Sequence, residues 1–476
     1  MIRQMLILSG ALGVAGCASI EPDILVPDTS GPLAYATDLP PAGLEGEWWR
    51  GFDDPVMDAL IEQGLAANLD IDAAGDRLGA ADALLRAERA DRLPSVDGTV
   101  EGGVDLRSDS EITLAAGLFG LFNPDLNGRL AAEIRAAVAD YAEADYILAD
   151  RRRIVAGAIA NQYIEYRRSG AQLALLEEST DLQRQTLRIV QLRFEAGLAA
   201  NLDVRRAAAD LAQTRARQGL IAIARANSAN ALAALLAEPP GAYVPPSFGE
   251  TASIPDYAAG PVAGVPADLL RRRTDILAAE ARLAQAAATI GIERADLRPS
   301  LTIPGTLAAG DGTLGGLFND FLLGLGAALD LPLFDGGRRR AEVNAARFEA
   351  EARLAEYRAT FLDALGEVEN ALVSIEAYRQ RNEALREAIE ESETALGQSN
   401  ALYREGLASL FDVLDAQRQL IASRQSLIDS EAALASSFVA FHVAVGSEGF
   451  ERDPARVVPV MQRGETRSPE NSEPEA

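Results

Sequence analysis

The chain runs to 476 residues with a formal charge of −27, set by 71 acidic against 44 basic side chains, and every one of those bases is arginine. That balance argues against a nucleic-acid partner, whose phosphates need a basic face. The lack of lysine removes phosphate-loop and Schiff-base chemistry, and the acidity fits either a well-solvated surface or an acidic interior that favours cations.

The first residues have the layout of an export signal. Arg3 precedes the apolar run MLILSGALGVAG, too short to cross a membrane, and Cys17 follows at once. Cys17 is the only cysteine, so no internal disulfide can form. The ending Val14-Ala15-Gly16-Cys17 resembles the bacterial lipobox. That resemblance implies removal of residues 1–16, lipid on the Cys17 thiol and acylation of the new N-terminus. An ordinary signal peptide with an incidental cysteine is the alternative. Ala18, rather than an aspartate, implies by the same resemblance the outer membrane. A lipid anchor holds a protein to a membrane without taking it through, and no later apolar stretch reaches the roughly 20 uncharged residues of a spanning helix.

Residues 17–55, rich in proline, glycine and acids, read as a lipid-anchored N-terminal tether and equatorial segment, extended rather than part of a core. Asp54 and Pro55 then make a helix start, as N-cap and first helical residue, and the helix is expected to run to about Arg92, where Pro94 stops it. Beyond Pro94 the period changes to two. Val96, Val100, Val104 and Leu106 fall on one parity, and Asp97, Thr99, Glu101 and Asp105 on the other. A second weakly alternating stretch spans Ile112 to Phe122, after the polar loop RSDSE. Strands with one apolar and one acidic face suit a membrane β-barrel, and a half-buried soluble hairpin would read the same way.

From Asp125 to Glu238 the chain has no proline. Ile134, Val138, Tyr141, Leu148, Val155, Ile159 and Tyr166 form a seam spaced by threes and fours, which Leu173, Leu176, Thr180, Gln183, Leu187, Val190 and Phe194 continue in a shifted phase. A helix from Gly128 to Gly197 would reach about 100 Å at ~1.5 Å per residue, far more than a compact domain needs. It crosses a space.

After a Pro/Gly-rich connector at 239–266 the pattern begins again. Glu88-Arg89-Ala90-Asp91 recurs as Glu293-Arg294-Ala295-Asp296, Pro94-Ser95 as Pro299-Ser300, and Gly128-Arg129 as Gly337-Arg338. LRFEAGLAANLDVRRAA, from Leu192, has a near-copy in LYREGLASLFDVLDAQR, from Leu402, with Gly197 matched to Gly406 and Asp203 to Asp412. The glycine of each copy reads as a helix C-cap, and Asn201 or Ser409 as the cap of the helix that follows, so each copy is the tip of a long helical hairpin. The chain is therefore an internal duplication: repeat 1 at 56–238 and repeat 2 at 267–446, each with helix, two strands, long helix, tip and return helix. SLTIPGTLAAG and FLLGLGAALDLPLF are the strand candidates of repeat 2, and Phe361, Leu365, Val368, Leu372 and Ile375 its helix seam. Residues 447–476 form a polar tail.

Four strands per chain cannot close a barrel, and an open sheet cannot sit in lipid, so copies must combine. Two copies give eight strands and a filled interior, whereas three give twelve and a wet lumen, which suits the acidic strand faces. The motifs WWRGFDDP at Trp48, DLNGR at Asp125, LPLFDGGRRR at Leu331 and YREGLASLFDVLDAQR at Tyr403 resemble the TolC/OprM family of outer-membrane efflux factors, nearest its NodT-like lipoprotein branch. Trp48, Trp49, Phe52, Leu60, Ile61, Asn68 and Asp70 belong to that family's opening motif, whereas Asn127 stands where an aromatic is usual. The resemblance implies a mainly α fold with membrane β: a trimeric 12-stranded β-barrel continued by an α-helical coiled-coil tunnel. It also implies partners, namely a periplasmic adaptor and an inner-membrane pump of the RND type, and a channel for small amphipathic compounds.

By the same resemblance the tips hold a gate, with Phe411, Asp412, Asp415 and Arg418 as ring candidates and Tyr403 as a tether. A ring of carboxylates is costly at close range and suits a cation. The plainer reading of Asp412 is a helix-capping partner of Ser409. The family's tip arginine falls at Ala408, so Arg418 is the candidate to pair with Asp415 of a neighbouring copy. Gly197, Leu198, Gly406 and Leu407 are the expected adaptor contacts, since exposed apolar residues suit docking. His442, the one histidine, lies in an apolar helix end and reads as packing, and with four methionines it supplies no metal relay. No enzyme, metal or cofactor is expected. The rival of another class is a lipid-anchored coiled-coil scaffold or adaptor without a pore.

Overall fold

The computed structural model describes residues 46–105, 111–241, 253–257, 273–309 and 321–446. The leader with Cys17, most of the connector and the polar tail lie outside the described residues. A short 3-10 turn, Trp48–Phe52, precedes α1 (Pro55–Ala67), and the Asp54 carboxylate accepts from the Val56 and Met57 amides at 3.0 and 3.2 Å. The single helix expected to reach Arg92 is broken at Asn68. There the backbone is extended, and the Asn68 side chain caps α2 (Leu69–Ala90) while its Nδ2 donates to the Leu235 carbonyl at 2.8 Å. An asparagine does both tasks because its amide offers an acceptor and a donor at once.

The strands β1 (Ser95–Asp105), β2 (Glu111–Phe122), β3 (Ser300–Ala309) and β4 (Phe321–Leu325) form an antiparallel sheet in that order. The second strand expected in repeat 2 is divided: β5 (Ala328–Asp330) pairs separately with β3, and the Gly326 amide donates to the Pro304 carbonyl at 2.9 Å. Pro304 has no N–H to give the ladder, which is why pairing is interrupted there. The register aligns Leu118, Leu307 and Leu323 on one face, and Phe119, Thr306 and Gly324 on the other beside Asp97. Both faces are exposed in the protomer, with Val100 at 74% on the first and Phe119 at 40% on the second. Among the described residues, the strands at the two ends of this order, β1 and β4, have no partner on their outer edges.

Repeat 1 continues into α3 (Arg129–Glu195) and α4 (Asn201–Leu235), and α5 (Thr274–Ala295) leads into β3. After β5 come α6 (Arg338–Glu405) and α7 (Leu410–Val445). At 67 and 68 residues, α3 and α6 each extend about 100 Å. Both begin the same way. Asp125 accepts from the Leu130 and Ala131 amides and Asp335 from Gly337 and Arg339, while Gly128 and Gly337 take left-handed backbone that a side chain would strain. Asn127 has its own role at this junction: it is buried, and its Nδ2 donates to the Ala295 carbonyl at 3.2 Å, tying the start of α3 to the end of α5.

The main core lies midway along the long helices. Trp48, Trp49 and Phe52 plug a hub formed by Ile159, Tyr163, Leu232, Phe438 and Phe441. Each such fully buried side chain contributes roughly 1.5–3 kcal/mol over exposure. Above it, Tyr163 donates to Asp54 at 2.8 Å and accepts from Arg167 at 2.7 Å. Arg153 and Arg273, both buried, donate to the Val443 and Ala444 carbonyls at 2.6 and 2.8 Å, closing the end of α7. Among the described residues α7 alone has the length and composition of a membrane-crossing helix, but 56% of its most apolar window is buried in this hub, and Asp429 and Glu431 keep its uncharged run short of roughly 20 residues.

His442 belongs to the same hub, stacked on Trp48 with ring centroids 5.4 Å apart and planes 6° from parallel. Burial lowers its pKa to about 4. An unfolded chain takes up that proton near pH ~6.5 and the folded chain does not, so stability falls as pH drops from ~6.5 to ~4, by roughly 3 kcal/mol. The melting temperature of the wild-type protein therefore drops between pH 7.5 and 4.5 by more than that of His442→Phe; equal drops would mean the histidine plays no part.

Candidate gate at the hairpin tips

Each long helix ends on a glycine in left-handed backbone, Gly197 (φ 72°) and Gly406 (φ 78°), and the next amide, of Leu198 or Leu407, donates back to the carbonyl of Arg193 or Leu402. This hydrogen-bonded turn reverses the chain and throws Leu198 and Leu407 outward, 70% and 76% exposed. The two return helices start differently. Ser409 and Asp412 form a complete capping box, with the Asp412 carboxylate accepting from the Ser409 amide and hydroxyl, both at 2.8 Å. The expected cap Asn201 is instead the first helical residue; Ala200 holds the cap position and contributes no side-chain bond.

These bonds from Ser409 lower the Asp412 pKa and keep it ionised. Arg418 donates to Asp415 of its own helix at 3.4 Å, one turn apart and both exposed, and its guanidinium lies 5.9 Å from the Phe411 ring. Phe411 is 52% exposed. Within one protomer, then, Phe411, Asp415 and Arg418 occupy one exposed stretch at the start of α7, and Asp412 is engaged by its cap.

Tyr403 packs with Val190, Val204, Leu410 and Leu414 in a small cluster that joins the two hairpins near their tips. Arg193 is the residue the sequence did not single out. Its Nη1 donates to the Tyr403 carbonyl at 3.0 Å and its guanidinium lies over the Tyr403 ring at 4.7 Å. Burial raises the Tyr403 pKa, so the ring stays a neutral phenol. Gln417 adds a second link, donating to Thr186 at 3.1 Å across the hairpins. Farther up, burial raises the Asp210 pKa, and the charge of Arg418 is the largest influence opposing it. The only sign of Arg193 in the sequence is a cation in the last turn of a helix, which is too common to mark a contact with a residue so far along the chain.

A duplicated set of very long hairpins bearing an amphipathic sheet defines a membrane duct component. The outer membrane efflux protein family model matches residues 60–238 and 265–447, and the chain belongs to that family. It is 30% identical over 417 residues to nodulation protein T of Rhizobium leguminosarum bv. trifolii, covering 84% of this chain and 87% of the relative. It is 29% identical to the solvent efflux pump outer membrane protein SrpC of Pseudomonas putida, covering 83% and 86%. Among solved structures, the outer-membrane channel OprN superimposes with a TM-score of 0.80 at 28% identity, over 90% of this chain and 99% of that one. VceC of Vibrio cholerae gives 0.75 at 26% identity, over 84% and 98%. The helical hairpins and the sheet thus have the fold of outer-membrane efflux channels.

Losing the Arg193 contacts costs about 1–2 kcal/mol. Arg193→Gln should speed hydrogen exchange at the Gly406 and Leu407 amides about tenfold while leaving amides of the hub unchanged. Unchanged exchange at the tip would show that Arg193 does not hold it.

Proposed function

We propose that the protein is the exit duct of a tripartite efflux system, a homotrimer held in the outer membrane by its barrel and by lipid on Cys17. The observation that carries this reading is the sheet: open edges at β1 and β4, one apolar face, one face with Asp97 and Glu101, and hairpins of about 100 Å leading away from it. Three copies joined edge to edge satisfy the backbone groups, face Leu118, Leu307 and Leu323 to lipid, and leave a wet acidic lumen. The helices continue that lumen into the periplasm. At their ends Phe411, Asp412, Asp415 and Arg418 ring the opening, with Tyr403 as tether. Three Asp415 carboxylates brought together repel unless Arg418 or a cation answers them. Gly197, Leu198, Gly406 and Leu407 receive a periplasmic adaptor, and an RND-type inner-membrane pump supplies the cargo.

That cargo is of the small amphipathic class. The relatives' names include solvent efflux and pyoverdine export, and the pump, not the duct, does the selecting. A scaffold without a pore would have no use for a two-faced sheet with open edges.

Single-channel conductance in a planar bilayer tests the reading. The purified protein, with a mass in detergent of three chains, should conduct weakly, and Asp412→Asn/Asp415→Asn should conduct several-fold more. The amide at position 412 still accepts the capping bonds, so the change is one of charge. No conductance from either protein, together with a mass other than three chains, would leave the scaffold as the better account. Separately, Cys17→Ser should abolish incorporation of labelled palmitate in cells; labelling that persists would overturn the anchor.

A further inference from the structure

A cleft of about 650 Å³ lies beside the hub, between the connector segment at 253–257, α6 and α7. It is roughly 35 Å along α6 from the tip, taking Asn382 to Gly406 at ~1.5 Å per residue. Its volume is in the range of small-molecule sites. One wall is apolar: Tyr257 and Phe438 stack with ring centroids 4.6 Å apart, flanked by Ile254 and Leu434. Asn382 also lines the cleft; it is only 2% exposed, and its Oδ1 is buried and has no hydrogen-bond partner among the described residues. A buried amide oxygen left unbonded costs free energy that a donor from a ligand would recover.

The charges around the cleft give that donor a sign. Glu431 is answered by Arg386 at 2.9 Å. Asp256 and Glu383 also line the cleft, and Arg379, held over the Phe438 ring at 5.4 Å, offsets one of them. One negative charge and one unused acceptor therefore remain beside an aromatic wall.

We propose that this cleft binds a small cationic amphiphile, a protonated primary amine on an aryl or alkyl body. The ammonium donates to Asn382 Oδ1 and lies against Glu383 and Asp256, and the body packs on Tyr257 and Leu434. An anion of the same shape is disfavoured by the one negative charge that remains, and an uncharged isostere recovers the apolar contact but only part of the polar one. The site is separate from the tips and stands whether or not the protein conducts.

Titration calorimetry on the intact protein in detergent, with 2-phenylethylammonium chloride as probe and 2-phenylethanol as its uncharged isostere, decides the matter. The amine should bind saturably, one site per chain, and the alcohol about tenfold more weakly. Asn382→Leu should weaken amine binding about tenfold and leave the alcohol within about threefold. Glu383→Gln, an exposed change that does not endanger folding, should weaken the amine alone. Melting temperature and mass in detergent verify that both variants are folded. Three results overturn the proposal: no saturable binding by the wild-type protein, equal affinity for amine and alcohol, or binding untouched in both variants. Binding only after the chains are dissociated would overturn it too, because a neighbouring copy would then be the occupant.

Discussion

An antiparallel sheet must not end in hydrocarbon. Each open edge presents a row of N–H and C=O groups that lipid cannot bond, at several kcal/mol per group. In this chain β1 and β4 carry such edges, and they lie at opposite ends of a four-strand path built from both repeats. Much else follows from that constraint. The strands alternate because one face must meet lipid and the other water. The duplication supplies two strand pairs from one gene product, and β2 joins β3 across the repeat boundary. The long helices take their starting direction from the sheet, through the matching aspartate-glycine junctions at Asp125–Gly128 and Asp335–Gly337.

Along most of their length the helices meet in small clusters, such as Leu85 with Leu130 and Ile134 near the sheet and Leu396 with Val413 and Leu420 near the tips. The strong packing is concentrated at one level, where two tryptophans and a phenylalanine from the N-terminal turn fill the space among α3, α4 and α7. Several of the polar side chains at that level have firm partners. Tyr163 sits between a carboxylate and a guanidinium, and Arg153 and Arg273 occupy the carbonyls at the end of α7. Removing one partner from such a set leaves a charge in a dry place, which is costlier than never having had the pair.

Repetition and local periodicity were legible in the sequence, because both are properties of neighbouring residues. The two tips, the long helices between Gly128 and Gly197 and before Gly406, the capping role of Ser409 and the two-faced character of β1 could all be read directly. What escaped was set by distant residues. Asn68 interrupts a helix because Leu235 offers it a carbonyl, and Pro304 divides the strand opposite it. Arg193 meets Tyr403 only because two hairpins lie side by side. The tip residues were named from a family likeness, and a single protomer holds only one third of any ring they would make in a trimer.

The position of the hub has a mechanical meaning. Tyr163 is fixed in the densest packing, and Gly197 stands at the free end of the same helix, about 50 Å away at ~1.5 Å per residue. A rigid rod pivoting at the hub acts as a lever, so a tilt of only about 3° carries its end sideways by roughly 3 Å over that length. A displacement that size exceeds the reach of a hydrogen bond. Small rotations where the helices are clamped are therefore enough to part Arg193 from Tyr403, and no hinge within the helices is required.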